Sequence, residues 1–289
     1  MGVTEAQLDE AARVIASGGV VAFPTETVYG LGANALDEDA VRRVFALKGR
    51  PATNPLIVHV RGIAHARIFA RAWPARAHEL ALAHWPGPLT IVVPKSAFIP
   101  DAVAGGGPTV GLRVPANRVA RALIERASVP IVGPSANPSG AVSPTTADHV
   151  REAFPDTPVL DDGPCETGIE STVVSFADDP PRVLRPGVLG HQELGVAAYR
   201  NITHTGMMPA PGLFASHYAP RARVLLVRGE DADIVLPDDA HRAARHLYAQ
   251  LRAHDRDGVR AISVRMPTAP GPVWDAIRDR LSRAAADRG

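Results

Sequence analysis

One cysteine, Cys165, stands in 289 residues, which excludes an internal disulfide and any zinc site built on several cysteines. Lysine is nearly as scarce, with Lys48 and Lys95 alone, so arginine is the default cation. Aromatic residues reach only 5%, and no set of them is spaced to stack on successive bases. No apolar run approaches the roughly 20 residues that a membrane-spanning helix needs. The opening Met1-Gly2-Val3-Thr4-Glu5 lacks the basic-then-apolar pattern of a signal peptide. A cytoplasmic protein without membrane contact is the expectation.

What is present suits a soluble fold: 46% hydrophobic residues, over a length that can bury a full core and hold two domains. The net charge of +1 gives no overall pull toward nucleic acid. Charge is nonetheless segregated. Residues 41–78 carry Lys48 and seven arginines with no acid, whereas residues 152–181 carry eight carboxylates with no Lys or Arg. Lys48 departs from the arginine habit, a hint that a compact, strongly hydrated charge is wanted there.

Local patterns interleave strands with helices. Thr4 is the expected N-cap of a helix running to Ser17, with Leu8, Ala12 and Ile15 on one face and Gly18-Gly19 as its stop. The apolar run from Gly19 to Phe23 is strand-like and leads into Pro24-Thr25-Glu26-Thr27-Val28-Tyr29-Gly30-Leu31-Gly32. Asp37 caps a second expected helix bearing Val41, Val44, Phe45 and Leu47, and Lys48 and Arg50 leave its C-terminal end. Further strands are expected at 56–60, 89–93, 110–114, 131–133 and 172–176, and helices near 74–85, 117–128 and 145–154. This alternation predicts an α/β domain with a mixed, twisted sheet over residues 1–201. Turn residues and weak periodicity mark 202–220 as a linker. Residues 221–289 then predict a smaller Rossmann-like β-α-β-α unit, with strands at 223–227 and 259–264 and helices at 240–254 and 273–286.

Polar residues recur at the expected strand ends, where loops converge and ligands gather in open α/β sheets. They are Thr27, His59, Thr109 with Arg113, Ser135 with Asn137, Ser143, Ser171 with Thr172, and Arg185. Lys48-Gly49-Arg50-Pro51 adds two cations and Asn54 an amide between prolines, a set suited to an anionic substrate. The small-residue loop from Gly133 to Gly140 suits either a phosphate or an ordinary tight turn. It matches neither a Walker loop nor a dinucleotide fingerprint. Ser135 lacks the Gly-x-Ser-x-Gly elbow of a hydrolase nucleophile. The eleven histidines show no metal-binding spacing. His59 interrupts an apolar strand, as a hydrogen-bonded structural histidine also would. Asp161-Asp162-Gly163 fits a magnesium contact or an Asp-Gly turn equally well. Trp73 and Trp85 flank a helix and are expected to pack there.

In this order the motifs resemble the YrdC-like family, and more closely its two-domain members, the threonylcarbamoyl-AMP synthases. The resemblance rests on Pro24 to Gly32, Lys48 to Pro51, Asn54-Pro55-Leu56, Pro134-Ser135-Ala136-Asn137, Gly168-Ile169-Glu170-Ser171-Thr172-Val173 and Leu184-Arg185-Pro186-Gly187. Ala210-Pro211-Gly212 and Ser216-His217-Tyr218-Ala219-Pro220 resemble the family's linker. Two departures stand out: Ser175 replaces a usual aspartate, and the second domain is shortened near 229–239.

The resemblance implies a YrdC-like sheet and an enzyme that joins L-threonine, bicarbonate or CO2, and ATP into threonylcarbamoyl-adenylate and pyrophosphate. It implies that Lys48 and Arg50 neutralise phosphate charge in catalysis without a covalent nucleophile. Asn54, Thr109, Ser135, Asn137, Ser143 and Arg185 are the implied further ATP contacts. Thr27, His59, Arg113, Gly133 and Ser171 are the implied threonine contacts, with Arg113 clamping the carboxylate. From their place between the domains, His217 and Tyr218 are the expected lid over a product that water destroys. Magnesium is implied with ATP, without a protein ligand that can be named. A downstream tRNA-modifying transferase, with tRNA itself, is the implied partner. The competing reading is a double-stranded RNA- or tRNA-binding module of the same fold without synthase activity.

Overall fold

The computed structural model describes residues 2–199, 208, 210–212, 214, 216–229 and 231–287. Thr4 opens α1 (Glu5–Ala16): its hydroxyl accepts the Gln7 N–H while the Gln7 side chain accepts the Thr4 N–H, a reciprocal cap that satisfies two orphan donors. β1 (Val21–Phe23) runs into the Pro24 motif, and β2 (Gly30–Asn34) returns antiparallel to it. The sequence does not announce this return strand, since glycine and asparagine are poor strand formers. Packing explains them. A Cβ on Gly30 or Gly32 would lie 3.2 or 3.0 Å from the Phe23 ring.

Asp37 caps α2 (Glu38–Lys48) by accepting the Asp39 and Ala40 N–H groups, and left-handed Gly49 ends it. β3 (Ile57–His59), α3 (Ile63–Phe69), α4 (Ala75–His84), β4 (Leu89–Pro94), β5 (Thr109–Arg113) and α5 (Arg118–Ala127) follow. β6 (Ile131–Val132), α6 (Ala147–Ala153), β7 (Thr172–Ser175), β8 (Arg182–Arg185) and α7 (His191–Leu194) complete the larger sheet domain. Its eight strands form one mixed sheet in the order β1-β2-β6-β3-β5-β4-β7-β8, with β3·β5 and β4·β7 parallel. The predicted strands are there, most of them a residue or two shorter; α3, β8 and α7 are additions. Trp73 and Trp85 pack on each other with ring centroids 6.0 Å apart.

β9 (Arg223–Val227), α8 (Ala240–His254), β10 (Ala261–Arg265) and α9 (Pro272–Ala285) form the expected β-α-β-α unit, with the two strands parallel. Its apolar core takes in Val28, Val142 and Ile169 from the larger domain, so the two units share buried surface. Gly168 makes the closest approach. Its φ is +81°, and a Cβ there would lie 2.4 Å from the Arg245 backbone of α8, a contact no other residue allows. Arg245 donates to the Glu166 carbonyl at 2.7 Å, and Arg252 to the Val142 carbonyl at 2.6 Å. Of the expected linker, residues 202–207, 209, 213 and 215 lie outside the described residues; Met208 and Ala210 pack with Val92, Val173 and Leu184.

Candidate active site

Strand alternation sends Val58 and Leu112 into the main core and Ile57, His59 and Arg113 to the opposite face of the sheet. A cavity lies over that face. Thr27, Arg50, Gly133, Ser135, Glu170, Ser171 and Arg185 wall it, together with Pro211, Gly212, His217 and Tyr218 from the linker. Its polar lining stands at strand ends: His59, Arg113 and Arg185 close β3, β5 and β8, Gly133 follows β6 and Ser171 precedes β7.

Within the cavity Arg113 is held in a fixed fork. It donates to Glu26 at 2.6 Å, to the Thr27 hydroxyl at 3.0 Å and to the Gly87 carbonyl at 3.2 Å. The other Glu26 oxygen accepts the Ala116 N–H at 3.0 Å. Each terminal guanidinium nitrogen still has a second N–H for a ligand, the geometry a planar carboxylate accepts. His59 stands beside Arg113. Burial first, and then the Arg113 charge, lower its pKa to about 3, so the ring is neutral at physiological pH. Gly133 is glycine because a Cβ would lie 2.6 Å from that imidazole. The Ser171 hydroxyl is paired with the Thr90 hydroxyl at 2.8 Å and accepts from Arg185 at 3.1 Å.

Two further arginines in the wall have ordered backs. Arg50 donates from Nε and Nη2 to Asn54 and to the Pro55 carbonyl at 2.7–3.1 Å. Burial lowers its pKa to about 9, which leaves it cationic at neutral pH. Arg185 rests on the Ser171 carbonyl through Nε and Nη2 at 3.1 and 3.0 Å. Lys48 behaves differently from the expectation that it faces phosphate. Its ammonium donates to the Ser135 carbonyl at 2.5 Å and to the Asn137 carbonyl, and it does not wall the cavity. The cause is tertiary packing: the end of α2 is buried against the 135–139 loop, where Ser139 donates to the Lys48 carbonyl. Lys48 therefore shapes the loop, with burial, then the Arg50 charge, pushing its pKa well down.

The other expected ATP contacts scatter. Ser135 lines the cavity; Asn54 lies under Arg50; Asn137 bonds within its own loop to Pro138 and Ala141. Ser143 lies behind Glu170, to which it donates at 2.6 Å. Thr109 opens β5 opposite Pro94, four residues and about 13 Å along the strand from Arg113, so the structure does not bring it to the cavity. Asp161-Asp162-Gly163 resolves as the turn: Gly163 donates to Asp161, which pairs with Arg151, while Asp162 accepts from Asn117 and Arg118.

Four functional groups escape a motif reading. Glu26 and Glu170 are the acids within the quoted motifs, and that isolation was the available signal. Glu170 is buried and accepts from Ser143, Tyr248 and Arg280. Burial works to raise its pKa, but the charges of Arg280 and Arg185 outweigh it, and it falls to about 2. Tyr248 and Arg280 come from the second domain, on α8 and α9, and stand in none of the quoted motifs. Tyr218 stacks on Tyr248 at 5.9 Å, with the Arg280 guanidinium 5.0 Å from its ring centre. Its backbone φ is 61°, unusual for a bulky residue. His217 packs on it at 4.1 Å.

A resident divalent cation does not fit this donor set. Both carboxylates near the cavity are committed to arginine, and no cluster of three or more His, Cys, Asp or Glu suited to a metal occurs among the described residues.

Comparison with known proteins shows the family. The Sua5/YciO/YrdC family model, described as telomere recombination, matches residues 13–187, and one described as threonylcarbamoyl-AMP synthase, C-terminal domain, matches residues 232–286. The threonylcarbamoyl-AMP synthase of Pyrococcus abyssi is 40% identical over 99% of this chain and 96% of its own length. That of Bacillus subtilis is 34% identical over 96% of this chain and 85% of its own. A crystal structure of P. abyssi Sua5 complexed with L-threonine is 38% identical, covers 99% of this chain and 96% of its own, and superposes with a TM-score of 0.92. The chain belongs to the Sua5/YciO/YrdC family, in the two-domain form that carries a threonylcarbamoyl-AMP synthase C-terminal domain.

Proposed function

We propose that the chain makes threonylcarbamoyl-adenylate and pyrophosphate from L-threonine, bicarbonate or CO2, and ATP, for the threonylcarbamoyladenosine modification of tRNA. One observation carries the reading: a single cavity joins a carboxylate-ready fork at Arg113 to two phosphate-ready arginines, Arg50 and Arg185. The threonine amine adds to CO2 and loses a proton, giving a carbamate. A carbamate oxygen then attacks the α-phosphorus, and the bond to the β-phosphate oxygen breaks. Positioning and charge neutralisation supply most catalysis of this kind. Arg113, with neutral His59 and the Thr27 and Ser171 hydroxyls, would fix the amino acid. Arg50 and Arg185 would take up charge on the phosphates. Magnesium would enter with ATP, and no residue of this chain is assigned to hold it.

Purified protein given threonine, bicarbonate and ATP is expected to release pyrophosphate, and to stop when threonine is omitted. Pyrophosphate release that ignores threonine would reject the assignment. The competing duplex-RNA module is disfavoured by burial. Arg50, Arg113 and Arg185 expose 9%, 4% and 4% of their surface, too little to reach a nucleic-acid backbone, whose binding depends on accessible cations.

The cavity measures about 50 Å³, against roughly 300–1,000 Å³ for ordinary ligand pockets. Pro211, Gly212, His217 and Tyr218 of the linker form part of its wall. Substrates would therefore displace the linker on entry, and its return would exclude water from the mixed anhydride. A Tyr218→Ala variant is expected to consume ATP with less adenylate recovered per pyrophosphate. Unchanged coupling and product lifetime would reject the lid.

A further inference from the structure

Glu170 poses an electrostatic problem that the proposed chemistry does not use. It is an acidic side chain in the wall of a cavity proposed to take a polyphosphate, within electrostatic reach of Arg185. Arg185 itself sits on the carbonyl of Ser171, the next residue along. An unconstrained carboxylate there would pair with that arginine and compete with the nucleotide for it. The structure instead turns Glu170 toward the second domain. One oxygen accepts from Ser143 at 2.6 Å; the other accepts from the Tyr248 hydroxyl and from Arg280 Nε, both at 2.8 Å. Arg280 is 1% exposed and is fixed in turn by Asp279 at 2.8 Å. Asp279 also bonds Arg283, whose carbonyl accepts the His217 N–H at 3.2 Å.

We infer that Arg280, assisted by Tyr248, is a positioning residue that holds Glu170 against the second domain and so keeps Arg185 available to the nucleotide. The second domain then acts on ATP without touching it. The inference rests on the synthase reading and adds a named task for the domain's two helices. It separates from simple domain docking because the damage from losing Arg280 would be done by Glu170. Neutralising Glu170 should then repair it.

The test measures equilibrium binding of ATP and, separately, of threonine to the full-length protein, with thermal unfolding alongside. Arg280→Met is expected to weaken ATP binding about tenfold or more, the scale for disturbing a buried charged contact, while threonine binding changes less than about threefold. Adding Glu170→Gln to Arg280→Met is expected to restore ATP binding to within about threefold of the starting protein, a coupling that independent sites do not show. Should Arg280→Met fail to fold, Tyr248→Phe removes one donor to Glu170 and is expected to weaken ATP binding about two- to fivefold, again reversed by Glu170→Gln. Equal loss of both ligands in Arg280→Met, or a double variant no better than the single one, overturns the inference and leaves a docking role. Unmodified protein that binds threonine but no ATP overturns the synthase reading itself.

Discussion

An Arg50→Ala variant is expected to lose about 30- to 1,000-fold in kcat/KM for ATP, corresponding to ~2–4 kcal/mol for a charged partner removed from a desolvated site. Two effects add. The cavity loses a cation that stays charged at neutral pH. The Asn54–Pro55 turn also loses the three hydrogen bonds that Arg50 gives it. Arg50→Lys separates them, because an ammonium keeps the charge but cannot span Asn54 and Pro55 while facing a ligand. An intermediate loss for lysine is expected. A loss below threefold for alanine would mean that Arg50 does not meet the phosphates.

Arg113→Leu is expected to do more damage, in two currencies that can be measured apart. Glu26 is 6% exposed and pairs with Arg113 at 2.6 Å. Removing one partner of such a pair strands a buried charge and costs about 3–5 kcal/mol of stability. Unfolding in denaturant should register that loss. Adding Glu26→Gln should recover much of it, since an amide is cheaper to leave in place. Threonine-dependent pyrophosphate release should stay lost in the double variant, because no fork remains for the carboxylate. Recovery of activity together with stability would show Arg113 to be a structural residue only.

Local signals carried the element boundaries furthest. The caps at Thr4 and Asp37 act within three residues of their helix starts, so a linear reading finds them. β2 escaped, because its glycines answer to the Phe23 ring seven and nine residues earlier rather than to any strand preference. The same division runs through the site. Thr27, Ser171 and Arg185 lie within the quoted motifs, His59 and Arg113 were legible only as polar residues at strand ends, and all five meet around one cavity. Lys48 was recognisable as a cation, but its carbonyl partners lie 87 and 89 residues away. What the ammonium faces depends on the closed tertiary fold. Glu170 and Arg280 are 110 residues apart, and nothing in either neighbourhood names the other.

That separation has a bearing on biosynthesis. A ribosome has delivered every strand of the larger sheet once residue 185 is made, and most of the pocket wall with it. The acid at 170 is then without the partners that later tie it down, until 248 and finally 280 emerge. On the inference drawn above, a nascent polypeptide would carry a self-quenched site until α9 is made.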